Sequence, residues 1–232
     1  MGVYERQQRE KKILEAAIQL FGEKGLHVTT MADVASKTRI SKGLIYFYYK
    51  SKEDLYLALT KKGMDELKDL FNKSFGKPKE KTGLEIMTTL VEGYLSFARE
   101  KTVFHDALLD FFSVLDAYQV QREKVSPLIL ESPYFTKLIQ SHHDLAKLGI
   151  KAISMGIQDG SIRPDLHAES AFYALWSMMI GYTKVTGSIS LEPGDIKINA
   201  ESWKNGFLKL FFEILKGSNT PYKSQPVQGK LF

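Results

Sequence analysis

The run SKGLIYFYYK from Ser41 to Lys50 holds groups suited to gripping a polyanion and reading base edges rather than to breaking bonds. Gly43 has no side chain, so the backbone there can approach a base edge or a methyl group closely. Lys42 is long, flexible and cationic, and could serve a guanine edge or a phosphate. Tyr46 and Tyr48 can donate phenolic hydroxyls to phosphate oxygens, which fixes register without reading sequence. Tyr49 is assigned to core packing.

Such groups need a rigid mount, and the flanking residues describe one. Thr30 can cap a helix with Asp33 three residues on, and Met31, Val34 and Ala35 give that helix an apolar face. The chain reverses at Thr38, Arg39 and Ile40, and Ser41 caps a second helix through Tyr48. Ile40 and Ile45 pack against the first helix, while Lys42, Gly43, Leu44 and Tyr46 point away. Ser51, with Asp54 three residues later, opens a third, long helix. Upstream, Ile13, Ala16, Ala17, Leu20 and Phe21 form a helical stripe that stops at Gly25.

Charge follows the same division. Residues 1–52 carry ten Lys/Arg against five acids, a surplus equal to the +5 of the whole chain, so the remainder is balanced. That is the footprint of a phosphate-contacting module.

The segments TTMADVA and SKGLIYFYYKSKEDL resemble the DNA-binding domain of the TetR family of bacterial transcriptional regulators, over roughly residues 10–60. The resemblance implies that the second helix of the pair enters the major groove. It also implies that Lys42 and Gly43 approach bases and that Thr30, Ser41, Tyr46, Tyr48 and Lys50 hold phosphates. Two positions depart from the family pattern. Arg39 stands where the turn commonly has Gly, so either a non-glycine residue takes positive φ or the turn differs. Leu44 replaces a small polar residue, which exchanges a hydrogen-bonding reader for an apolar contact such as a thymine methyl.

Beyond Lys52, long helices are expected at about 52–75, 82–100, 103–121, 125–158 with a break at Ser132 and Pro133, 167–187 and 200–216. Loops fall at 76–81 and 160–165. The expected fold is all-α: a three-helix helix-turn-helix domain over residues 1–50, then a helical effector-binding and dimerisation domain over 51–216. Residues 217–232, polar and holding Pro and Gly, read as a loosely ordered tail.

On the last helix Trp203, Phe207, Leu210, Phe211 and Ile214 form one stripe and Leu208, Phe212 and Leu215 another, wider together than a helix on its own core requires. With the apolar helix before it, this predicts a two-fold four-helix interface, as in TetR-like dimers, using Tyr173, Ile180, Leu208, Phe212 and Leu215. Two reading helices about 34 Å apart then require a palindromic operator in double-stranded DNA. The resemblance also implies an effector pocket, and the central helices offer Phe104, His105, Leu108, Phe111, Phe112, Tyr134, Tyr173 and Trp176 to a small apolar or aromatic molecule, with Asp110 as a further polar candidate. Gly63, inside the long connecting helix, points to close packing or to a bend that effector binding exploits.

No sequence signal favours an enzyme. HExxH, an ExxH pair, a phosphate-cradling Gly loop and GxSxG are missing, and His142 and His143 are adjacent and diverge on a helix. Catalytic residues, metal and cofactor are therefore not expected. The chain has no Cys, and its longest apolar stretch is shorter than a membrane span, which fits a cytoplasmic protein. The resemblance thus implies a ligand-responsive regulator, repressor in sign, acting as a homodimer. A dimeric architectural DNA-binding protein without effector is the alternative.

Overall fold

The computed structural model describes residues 2–76, 80–188 and 199–217, and all the regular elements among them are helical. Helix α1 (Val3–Lys24) buries the stripe Ile13, Ala16, Ala17, Leu20 and Phe21, and stops at Gly25, whose φ of 80° breaks the helical path. Helix α2 (Met31–Thr38) begins with a reciprocal capping box: Asp33 N–H donates to the Thr30 hydroxyl, and the Asp33 carboxylate accepts from Thr30 N–H. Helix α3 (Lys42–Tyr48) is capped by Ser41, and α4 (Lys52–Ser74) by Ser51. These four elements pack around Leu20, Phe21, Met31, Val34, Ile45 and Tyr49, all buried.

The turn before α3 resolves the question at Arg39. Its backbone lies in the left-handed region, φ 56° and ψ 35°, the one non-glycine residue of positive φ among those described. Ile40 N–H reaches back to the Ala35 carbonyl at 3.2 Å, the wide bond of a Schellman ending, so two carbonyls of the helix end are satisfied where a Gly is usual.

Helices α5 (Gly83–Glu100), α6 (Thr102–Val120), α8 (Pro133–Asp159), α9 (Ala168–Ser188) and α10 (Ala200–Lys216) build the rest, with a short 3-10 turn at Arg122–Lys124 and the single-turn α7 (Pro127–Leu130) before α8. The span expected at 125–158 is broken where Ser132 caps Pro133, a proline at the first helical position. Helices α4 and α8 form the spine: α4 packs on α1, α5, α6 and α8, and α8 on α4, α5 and α9. Close packing accounts for Gly63, since a Cβ there would lie 2.7 Å from Phe104 Cβ on α6.

Helix α10 corrects the expected stripes. Phe207, Phe211 and Leu215 turn inward, Leu208 and Phe212 are half-buried, and Leu210 and Ile214 are 59% and 38% exposed. Leu215, expected at a partner interface, is 0% exposed within its own chain, so the outward edge passes to Leu210 and Ile214. On α9 the outward face carries Tyr173, Ala174, Ser177, Gly181 and Val185, with Ile180 half-buried. No described helix is long and apolar enough to cross a membrane. The tail expected to be loosely ordered lies, after Gly217, outside the described residues.

Candidate nucleic-acid interface

Helix α3 is short because its ends are fixed by neighbours. Ser41 accepts from Leu44 N–H at its start, and Tyr49 N–H closes its end on the Ile45 carbonyl in extended backbone. Between them only Ile45 is fully buried, and it anchors α3 against α2. The outward face presents Lys42, Gly43 and Tyr46, with Leu44 and Tyr48 half-buried at its margins and Lys50 exposed just beyond. A Cβ on Gly43 would meet nothing within 4 Å, so its surface is open to a ligand rather than packed. The Lys42 ammonium lies 6.0 Å from the Tyr46 ring centroid, a loose contact that leaves the cation on the same face.

Phe47, to which the sequence reading gave no role, belongs to this face. It is 64% exposed, follows Gly43 at helical i+4 spacing, and has the Arg6 guanidinium of α1 5.9 Å from its ring. The spacing carries the signal in the sequence, against the general preference of Phe for the core. Thr30 sits at the start of α2, where its hydroxyl accepts from Asp33 N–H and donates to the Asp33 carboxylate, so in the unbound chain it is committed to the cap. Those Thr30 bonds, led by its backbone N–H, hold the Asp33 carboxyl below its usual range. Lys52, which also follows the reading helix, turns inward and donates to the carbonyls of Leu26 at 3.0 Å and His27 at 3.3 Å, pinning the loop between α1 and α2.

The end of α3 is bolted to the start of α8. Asp54 accepts from Lys50 N–H at 3.1 Å and from the Ser132 hydroxyl at 2.6 Å. Tyr134 stacks on Tyr49 with ring centroids 6.4 Å apart and donates to Glu10 of α1 at 3.4 Å. Burial raises the Tyr49 phenol well above its ordinary value, and the Tyr134 phenol to about 12. Both remain hydrogen-bond donors at neutral pH.

The residues expected around an effector do not line one space. A cavity of about 1050 Å³ between α5, α6, α9 and α10 is lined by Leu95, Leu109 and Tyr182 together with the polar Arg99, His105, Asp106 and Lys204. His105 accepts or donates at 3.2 Å with the Tyr94 hydroxyl, and burial lowers its pKa. Trp176 packs on Tyr94 and Phe112 behind it, while Phe104 and Leu108 are buried in the core. Phe111 lines a second, smaller cavity, Tyr134 belongs to the junction just described, and Tyr173 faces outward.

Comparison with known proteins supports the same reading. Residues 13–59 match the family described as bacterial regulatory proteins, tetR family. Over 190 residues the chain is 30% identical to the HTH-type transcriptional repressor KstR2 of Rhodococcus jostii (strain RHA1), spanning 79% of this chain and 84% of that one. The structure of the ketosteroid transcriptional regulator KstR2 of Mycobacterium tuberculosis superposes with a TM-score of 0.59 at 19% identity, covering 90% of this chain and 96% of that one. AibR in complex with isovaleryl coenzyme A and operator DNA does so at 0.60 and 16%, covering 88% and 98%. With its capped helix pair, exposed α3 face and all-helical described elements, the chain belongs to the tetR family of bacterial transcriptional regulators.

Proposed function

We propose that this protein is a ligand-responsive repressor that binds a palindromic operator as a homodimer and is released by a small molecule, with no catalytic role. Residues 1–50 act as the DNA-reading domain, and residues 51–216 bind the effector and the second copy. The cytoplasm, where the chromosome lies, is its place of action.

The observation that carries the reading is the bolt between α3 and α8. The Asp54 carboxylate holds both the exit of the reading helix and the cap of the central helix, so displacement of α8 turns the reading face. Lys42 and Gly43 approach bases, Leu44 adds an apolar contact, and Ser41, Tyr46, Tyr48 and Lys50 hold phosphates, with Thr30 joining them once its cap rearranges. The named relatives suggest the effector class: one is a ketosteroid regulator, and another is described with isovaleryl coenzyme A. A cavity of about 1050 Å³ whose lining mixes Leu95, Leu109 and Tyr182 with Arg99, His105 and Lys204 suits a body with both apolar and charged parts. Dimerisation through the outward faces of α9 and α10 would set two reading helices about 34 Å apart.

Selection of bound sequences from a random duplex library, at a stated salt concentration, tests the reading. A palindrome with half-sites about one helical turn apart is expected. Binding without consensus would point to an architectural protein, and absence of binding would sink the proposal.

A further inference from the structure

The second cavity, about 390 Å³, lies apart from the effector space described above. Its walls come from both halves of the molecule: Leu26 and His27 from the loop between α1 and α2, Leu57 from α4, Phe111 and Val114 from α6, and Ile129 from α7. The walls are mostly apolar, yet two carboxylates, Glu53 and Asp110, stand in the lining. Asp110 Oδ2 accepts from the Tyr56 hydroxyl at 2.6 Å, and the Glu53 carboxylate makes no hydrogen bond or ion pair among the described residues. Lys52, the one Lys or Arg in the lining, donates to the Leu26 and His27 carbonyls and makes no ion pair with either acid, so two carboxylates stand against one ammonium. An apolar cleft whose mouth carries a net negative charge, from the half-buried Glu53 and the exposed Asp110 against Lys52, favours a cation that brings its own apolar body.

We propose that this cleft is a second ligand site, for a lipophilic amine whose ammonium meets Asp110 and Glu53 while its hydrocarbon body fills the space between Leu57, Phe111 and Val114. Because the loop between α1 and α2 forms one wall and α6 the other, occupancy fixes the angle of the reading head and alters DNA affinity. The binding step stands by itself; only this consequence rests on the repressor reading.

Calorimetric titration of the full chain without DNA, using 1-aminoadamantane and, as a control of the same shape, adamantane-1-carboxylate, tests the site. The amine is expected to saturate and the carboxylate not to. Asp110→Asn and Glu53→Gln should each weaken the amine about tenfold, the loss of one charge-assisted contact, with thermal melting showing that both variants fold. Equal binding of amine and carboxylate, an amine affinity unchanged in both variants, or no saturation by the amine would overturn the proposal. Operator affinity is then measured with and without saturating amine, and an unchanged value would overturn the coupling alone. Failure to recover any operator would count against the repressor reading and leave the calorimetric result as it stands.

Discussion

The Ser132 hydroxyl donates to Asp54 Oδ1 at 2.6 Å across 78 residues of sequence, and both groups are buried. Removing the donor leaves a buried carboxylate oxygen without its partner, at a cost of about 1–3 kcal/mol. Ser132→Ala should therefore lower the urea midpoint by a corresponding amount. It should also reduce the change in operator affinity that effector produces, because the link between α8 and the reading head is cut. A variant of wild-type stability with full effector response would show that the bond carries neither load.

On the exposed face of α3, the proposed residue roles separate by the specificity each would carry. Lys42→Ala should relax discrimination between operator and non-operator DNA, whereas Tyr46→Phe should weaken both by a similar factor, of order 1 kcal/mol or less, through loss of one phosphate contact. Phe47→Ala, which removes an exposed ring from the same face without emptying the core, should weaken operator binding and leave stability within about 0.5 kcal/mol. Competition titrations against random duplex separate the three outcomes.

Arg39 holds a left-handed conformation that costs a residue with a Cβ about 1 kcal/mol. Arg39→Gly relieves that strain but enlarges the freedom of the unfolded chain, so a net gain of no more than about 1 kcal/mol is expected by chemical denaturation. Loss of stability would mean that the arginine side chain makes up for the strain by contacts of its own.

Mild acidification should destabilise the protein through its buried histidines. Burial lowers the pKa of His105 and, more than its neighbour His143 does, that of His142, both from 6.5. The folded state thus disfavours the imidazolium that the unfolded chain accepts. Their contribution is fully present above pH 6.5 and is lost as pH falls below it toward the lowered folded values. The carboxylates held below their ordinary range, such as Asp144 beside Lys68, stay ionised through that interval. Urea midpoints at pH 7.0 and 5.5 should differ in the wild type and differ less in His142→Gln. An equal drop in both would assign the effect elsewhere.

The outward edge of α10 gives a test of assembly. Leu210→Glu places a charge on a side chain that is 59% exposed in the single chain, so monomer folding should change by less than about 0.5 kcal/mol. Sedimentation should show a dimer dissociating to monomer, with operator affinity lost in parallel. A variant that stays dimeric would move the interface away from this edge.

Local chemistry was legible in the sequence wherever a residue acts on its own helix. The caps at Thr30, Ser41 and Ser51, the stop at Gly25 and the buried stripe of α1 involve partners within a turn or two, and all are found as read. So was the concentration of positive charge around the reading helix, which needs no contacts at all. The sequence left Arg39 with two possible backbones, because local preference is nearly balanced there. Only the docking of α2 against α3 chose the left-handed one. It also set out the apolar surface of α10 without its direction: a helical wheel gives the angles between Leu210 and Leu215 but not which of them meets α9 and the core. The junction of Asp54 with Ser132 and of Tyr49 with Tyr134, and the cleft between Leu26 and Val114, join segments far apart in the chain. Those relationships arise from how α4, α6 and α8 pack, and packing sums many weak contacts that no short window of residues contains.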